Sequence, residues 1–330
     1  MNTALLLLAG GLGVFLVGMK LIAESMSGLN IDRVRSMFGR LSHRRLPAVG
    51  LGAGAAALLQ SSSATTVILL GFVNAGVVDL VQATCIIMGA NIGTTITAVL
   101  ISVGTLPIGE LFGVMALAGA LIVMTAKAPR VKTMGWFVAG TGLLFVGLKV
   151  MSIAAGSLAE IPFFQRVLPS LRSPVLLVLA GMAFTAIIQS STATTGIVIT
   201  LASLGLMDVT ATFAVIMGGN VGTCFTAMLA AVGLDRDTKR AALIHLLFNA
   251  FGVLIFLPLI VWGGEWIGSK LLQSMSPASL IAYFHVVFNL VSTVFLLPFV
   301  RQFASFSAKL IPDEPTNVIL KKSEKFGKTS

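Results

Sequence analysis

Residues 60–66 read Gln-Ser-Ser-Ser-Ala-Thr-Thr, and residues 189–195 read Gln-Ser-Ser-Thr-Ala-Thr-Thr. The second copy stands 129 positions after the first (189 against 60), and other pairs keep that offset. Gly89-Ala-Asn-Ile-Gly-Thr-Thr95 returns as Gly218-Gly-Asn-Val-Gly-Thr-Cys224, and Gly18-Met-Lys20 returns as Gly147-Leu-Lys149. Asp79 matches Asp208, and Gly104 matches Gly233. Between 52 and 104 about 22 of 53 positions are identical to their counterparts, with no gap. A chain built this way folds as two copies of one unit, and each copy constrains the reading of the other.

Only 10% of the 330 residues are charged, against about a quarter in soluble proteins. The mean hydropathy is +1.00. So few charges do not cover a water-facing surface, and the outside of the fold is expected to face lipid. The net charge of +10 is not a nucleic-acid signature, because of where it sits. Lys and Arg cluster in short stretches between apolar runs: Arg33 to Arg45, Lys127 to Lys132, Arg236 to Arg240 and Lys321 to Lys328. That is the pattern of cytoplasmic loops. Cys85 and Cys224 are the only cysteines and lie in apolar runs, where small packing residues are expected rather than a disulfide or metal framework. The first apolar run lacks a basic leader and continues to Lys20, so it reads as a first span rather than a cleaved signal peptide.

The apolar runs at about 3–27, 81–104 and 109–127 are long enough to span a bilayer. The stretch 48–78 is apolar on both sides of a polar centre, and each arm is about half a span. It predicts a re-entrant hairpin, tolerated at membrane depth only where its tip is buried in protein or lines a wet cavity. Three crossings per unit is odd, so the second unit is expected to be inverted: a span at 134–153, a hairpin at 174–207, and spans at 210–233 and 241–263. A last span follows at about 279–300. With the N-terminus outside, the stretches 32–45, 127–133, 234–240 and the C-terminal tail all fall in the cytoplasm, and these are the basic ones. The outer segments hold Glu160, Arg166, Arg172, Glu265 and Lys270, nearly balanced. The expectation is an all-α integral membrane protein of the bacterial inner (plasma) membrane. It divides into repeats at 1–128 and 129–263, a C-terminal span at 264–310 and a basic cytoplasmic tail at 311–330.

A hairpin tip followed by a helix starting near Ser63 or Ala64 puts Ser hydroxyls at its N-cap. Free N–H groups of the first turn and the positive end of the helix dipole point the same way. That arrangement binds anions. An inverted copy at Ser190 to Thr195 supplies a second helix N-terminus, and the pair suits a small oxyanion. Gly89, Asn91 and Gly93, like Gly218, Asn220 and Gly222, sit in the middle of spans. Glycine weakens helix interiors, so an unwound point is expected there, with carbonyls and the oxygens of Asn91, Thr94, Thr95, Asn220 and Thr223 offered to a hard cation such as sodium. A glycine-lined helix crossing is the competing reading. With no Lys or Arg expected near these motifs, an anion needs bound cations beside it, which predicts cation coupling. Lys20 and Lys149 fit either an intramembrane role or snorkelling to an interface, and Lys20 can pair with Glu24 one turn on. His245-x-x-Phe248-Asn249 recurs as His285-x-x-Phe288-Asn289 and suggests interhelical hydrogen bonding. Asp79 and Asp208 suggest helix caps. No nucleophile–base pair or metal-ligand spacing appears in the apolar runs, so an enzyme is not expected.

The paired Gln-Ser-Ser motifs together with the paired Gly-x-Asn-x-Gly-Thr motifs resemble the type II sodium/phosphate cotransporter family over about residues 1–305. The resemblance implies sodium-driven uptake of inorganic phosphate by alternating access at the two hairpin tips. Gln60, Ser61, Ser62, Ser63, Gln189, Ser190, Ser191 and Thr192 would line the phosphate site. Gln60, Thr66, Asn91, Thr94, Thr95, Gln189, Thr195, Asn220 and Thr223 would serve the sodium sites. The partners it implies are phosphate, sodium as the co-transported ion, the lipid bilayer and optionally further copies of the chain, with no cofactor. Cys224 stands where the first copy has Thr95, which removes a hard oxygen ligand. After Pro312 only a short basic tail is expected, without the soluble C-terminal domain of many bacterial relatives.

Overall fold

The computed structural model describes residues 2–39, 44–103, 111–159 and 173–313. Among them the chain is helical nearly throughout, in twelve α-helices. They are α1 (Asn2–Gly39), α2 (Arg45–Leu59), α3 (Ser62–Asn74), α4 (Leu80–Val103), α5 (Leu111–Thr125), α6 (Pro129–Ala159), α7 (Pro174–Ile188), α8 (Ser191–Ser203), α9 (Val209–Ala230), α10 (Arg236–Leu271), α11 (Pro277–Leu296) and α12 (Val300–Leu310). Among the described residues six stretches are long and apolar enough to cross a membrane: Thr3–Ile22, Leu80–Val103, Pro129–Met151, Val209–Ala230, Arg236–Gly264 and Pro277–Leu310. Large apolar side chains cover the outside, with Met124 81% and Trp262 85% exposed. Such a surface is stable against lipid and not against water. The protein is therefore a multi-pass membrane protein. Of the expected span at 109–127, the described residues include α5, Leu111–Thr125. The loop residues Glu160, Arg166 and Arg172 and the tail from Lys321 to Lys328 lie outside the described residues.

The duplication is visible in the elements. α2 and α7, and likewise α3 and α8, begin and end at positions 129 apart, and α4 and α9 begin 129 apart. The arms α2 and α3 are 15 and 13 residues long, too short to cross, and they meet at Gln60 and Ser61. The same two-arm unit recurs in α7 and α8 around Gln189 and Ser190. Asp79 and Asp208 cap α4 and α9 as expected: Gln82 N–H donates to Asp79 Oδ1 at 2.8 Å, and Ala211 N–H donates to Asp208 Oδ1 at 2.8 Å.

The repeat mates α1 and α6 cross each other through matched glycines. A Cβ on Gly18 would collide with the backbone of Leu144 and Gly140, and one on Gly147 would collide with Phe15 and Gly11. Phe15 and Leu144 are themselves repeat mates and fully buried. Partners fall in number on α6 as they rise on α1, since Gly11 faces Gly147 and Met151 while Gly18 faces Gly140 and Leu144. The two helices therefore run antiparallel. Small residues at such a crossing let backbones approach and gain dispersion contact, the main source of helix association in lipid.

The unwound points expected at Gly89–Gly93 and Gly218–Gly222 are not there. α4 and α9 run unbroken through them. The glycines serve close crossings instead: a Cβ on Gly89 or Gly93 would strike Val49 O or Ala53 O of α2, and one on Gly218 or Gly222 would strike Val178 O or Met182 O of α7. Each hairpin's first arm is thus seated backbone to backbone on the following long helix. The cost of glycine in a helix interior, about 1 kcal/mol, is offset by this approach.

Candidate functional site

Each hairpin tip is built by the same three residues in the same conformation. Gln60 (φ 48°) and Gln189 (φ 57°) take the left-handed conformation, and among the described residues no other non-glycine does so. That conformation costs roughly 1–2 kcal/mol for a residue with a Cβ. It lets Gln60 close the end of α2 with its N–H on Ala56 O, and Gln189 close α7 with its N–H on Thr185 O at 2.7 Å. The chain then reverses through extended Ser61 and Ser190, each the N-cap of the returning arm. Ser61 Oγ accepts from Ala64 N–H at 3.1 Å, and Ser190 Oγ accepts from Ala193 N–H at 3.2 Å. The helices start at Ser62 and Ser191, one or two residues earlier than the sequence suggests. The N–H groups of Ser62, Ser63, Ser191 and Thr192 are left without intrahelical acceptors, at the positive ends of α3 and α8.

Both tips line one cavity of about 180 Å³, as do Leu59, Thr94 and Lys20. All eight residues expected to hold the oxyanion are on its wall. Its volume equals about six waters at their liquid share, enough for a small anion with companion ions or water. The two halves differ in exposure: Gln60 is buried and Gln189 exposed.

Lys20 overturns the expectation that no cation stands near the motifs. Forty residues separate it from Gln60 in sequence, but α1 packs against α2 and brings it to the cavity. Its Nζ lies 3.7 Å from Glu24 Oε1, the i, i+4 pair expected from spacing. Lys149, its repeat mate, is exposed on α6 and does not line the cavity.

The residues expected to take sodium divide into two groups. Thr94 reaches the cavity, and Thr66 and Thr195 are buried one helical turn behind the tips. Thr66 Oγ1 has no hydrogen-bond partner among the described residues. Asn91 and Asn220 instead tie helices together. Asn91 Nδ2 donates to Asn249 Oδ1 and Asn220 Nδ2 to Asn289 Oδ1, both at 3.0 Å, and Asn220 Oδ1 meets His285 Nε2 at 3.1 Å. The His-x-x-Phe-Asn motifs therefore do supply interhelical bonds. Thr95 and Thr223 donate to backbone carbonyls of their own helices, at 2.7 and 2.9 Å, and are buried. Cys224 has a partner that Thr95 lacks, since Asn249 Nδ2 donates to its sulfur at 3.3 Å. With α4 and α9 unbroken, no freed carbonyls are available beside these side chains.

A model of the Na+/Pi-cotransporter family matches residues 14–153 and 161–283, which include both tips. The chain belongs to the Na+/Pi-cotransporter family. It is 31% identical over 299 residues to the uncharacterized YqeW of Bacillus subtilis (strain 168), covering 90% of this chain and 95% of that one. It is 32% identical over 284 residues to YjbB of Escherichia coli (strain K12), provisionally named as an inorganic phosphate export protein. That match covers 86% of this chain and 51% of YjbB, so the chain spans about half of that relative's length. A 95-residue stretch is 38% identical to sodium-dependent phosphate transport protein 2A of Ovis aries, covering 27% of this chain and 15% of the sheep protein. No solved structure matches. Membership in this family makes the two-tip cavity the natural place to look for its phosphate chemistry.

Proposed function

We propose that this Na+/Pi-cotransporter family member is a secondary active carrier that imports inorganic phosphate with sodium. The anion binds between the Gln60–Ser63 and Gln189–Thr192 tips. The observation that carries the reading is that two helix N-termini, each with its own Ser and Gln side chains, line one cavity. Unpaired N–H groups and hydroxyls give an oxyanion directed donors without burying a fixed cation for each negative charge. Sodium fits because Lys20, the one cation lining the cavity among the described residues, carries a single positive charge against the two negative charges of a phosphate dianion. A phosphate dianion entering the cavity still meets little net positive charge, and co-bound cations neutralise it. Thr66, Thr94 and Thr195, with the Gln60 and Gln189 amides, are the oxygens we assign to sodium; Asn91, Thr95, Asn220 and Thr223 have a supporting role.

The antiparallel crossing of the repeat mates α1 and α6 supports an inverted arrangement with the hairpins entering from opposite sides. In this arrangement the N-terminus is outside, and access alternates between the two faces of the membrane. The test is radiolabelled phosphate uptake into proteoliposomes with an imposed sodium gradient. Uptake is expected with sodium and should collapse with choline. Ser62→Ala and Ser191→Ala should each weaken it about tenfold or more, as expected for loss of a hydrogen bond to a charged group. Equal uptake in choline without a proton gradient would sink sodium coupling. Accumulation above the outside concentration excludes a passive channel, and competition by sulfate and arsenate distinguishes carriers of other oxyanions. The name of YjbB favours a second reading in which net movement is export. Efflux from phosphate-loaded vesicles under an inward sodium gradient, in place of uptake, would select it.

A further inference from the structure

We propose that Lys20 is a direct ligand of the transported oxyanion, and that Glu24 is its resident counter-ion, displaced when the anion arrives. This rests on the cavity being the phosphate site. Lys20 stands in the last turn of the apolar window Thr3–Ile22, where a charge is costly and needs a purpose or a route to water. It supplies the single ammonium or guanidinium group lining the cavity among the described residues. Every other lining donor is a neutral amide, hydroxyl or N–H.

The Lys20–Glu24 pair is held loosely. Nζ to Oε1 is 3.7 Å, with side chains 75% and 62% exposed. A charge-assisted hydrogen bond is about 2.7–2.9 Å. Arg240 shows what a committed pair looks like in the same protein, at 2.7 Å to Asp237 and 2.7 Å to Asp313. An ammonium at 3.7 Å from its carboxylate has donors to spare and little bonding to lose. An oxyanion in the cavity offers it several acceptors. Glu24 prevents the empty cavity from carrying a bare positive charge, and its departure ties recognition to an exchange of one anion for another.

The repeat isolates this device. The mate of Lys20 is Lys149, while the mate of Glu24 is Ile153. The ammonium is thus duplicated and the carboxylate is not, which gives Glu24 a function separate from the shared architecture of the two units.

The experiment measures phosphate dependence of sodium-driven uptake and, on the same purified protein, the rise in thermal unfolding temperature on adding inorganic phosphate with sodium. Lys20→Ala is expected to raise the half-saturating phosphate concentration about tenfold or more in both assays, with Lys20→Arg recovering part of the loss. Glu24→Gln is expected to shift it the other way, lowering it about two- to fivefold, because the competing carboxylate is gone. In the Lys20→Ala background the Glu24→Gln effect should vanish. Wild-type half-saturation in Lys20→Ala, with Ser62→Ala impaired, overturns the role of Lys20 and leaves the cavity assignment standing. Equal weakening by Lys20→Ala and Glu24→Gln shows a structural pair and overturns the exchange. A wild-type protein that neither transports phosphate nor is stabilised by it overturns the cavity assignment and this inference together.

Discussion

At the scale of single residues, Gln60 and Gln189 set the terms. Glycine would occupy their left-handed conformation at lower cost, yet both copies carry glutamine. Strain at matched points on a cavity wall is an observation from which function can be argued. If the side-chain amides are why the strain is tolerated, Gln60→Gly or Gln189→Gly should fold at least as well, with unfolding free energy unchanged or raised by about 0.5–1 kcal/mol. Phosphate uptake should fall tenfold or more. Thermal unfolding in detergent and proteoliposome uptake, measured side by side, check the two halves of that statement. Ser61 and Ser190 belong to a different class, because their hydroxyls already cap α3 and α8. Ser61→Ala should cost about 1 kcal/mol of stability as well as any transport effect. The tip residues were legible in the sequence because a duplicated polar motif inside apolar segments has few structural explanations. Lys20 was not placed, because its proximity comes from packing of α1 on α2, which residue spacing does not encode.

At the scale of elements, hairpin arms, caps and most spans follow from hydropathy and turn chemistry, and the structure has them nearly where the pattern puts them. The middle glycines show why the rest was hidden. A glycine in a helix is a weak point when alone and a contact point when another backbone lies against it, and only the partner decides. Gly89 and Gly218 have such partners in Val49 O and Val178 O. Gly89→Ala and Gly218→Ala should therefore destabilise by about 1–3 kcal/mol, through overpacking. Gly54→Ala, on the exposed face of α2 with no atom within 4 Å of where its methyl would sit, should be neutral or stabilising by up to about 1 kcal/mol. Thermal unfolding of the three variants checks this, and equal stability of Gly89→Ala and Gly54→Ala would contradict the crossing. The asparagine bridges give a second measure. A double-mutant cycle on Asn220 and Asn289 should return a coupling of about 0.6–2 kcal/mol, as for other interhelical hydrogen bonds in membranes. A coupling near zero would remove the pair from the scaffold.

At the scale of the whole molecule, the two units share a plan but not a state. α1 packs on α2, whereas their mates α6 and α7 make little contact, and α6 lies on α8 instead. Gln60 is buried and Gln189 is not. In the alternating access proposed above, exchanging these two unlike arrangements would yield the opposite form from the same parts. The crossing of α1 with α6 is exempt from this asymmetry. Gly18 meets Gly140 and Leu144, and Gly147 meets Gly11 and Phe15, so each contact has its reciprocal.

Reciprocal contact is the property of an interface between two identical molecules. The crossing of α1 with α6 thus has the form of a contact between two identical subunits. If this contact alone holds the two units together, the covalent link between them is dispensable. Chains ending at Lys127 and beginning at Ala128, between α5 and α6, should find each other when co-expressed, co-purify through a tag on one half, and recover phosphate uptake. Halves that both reach the membrane but do not associate would show that the interface has the symmetry without the strength to hold them together.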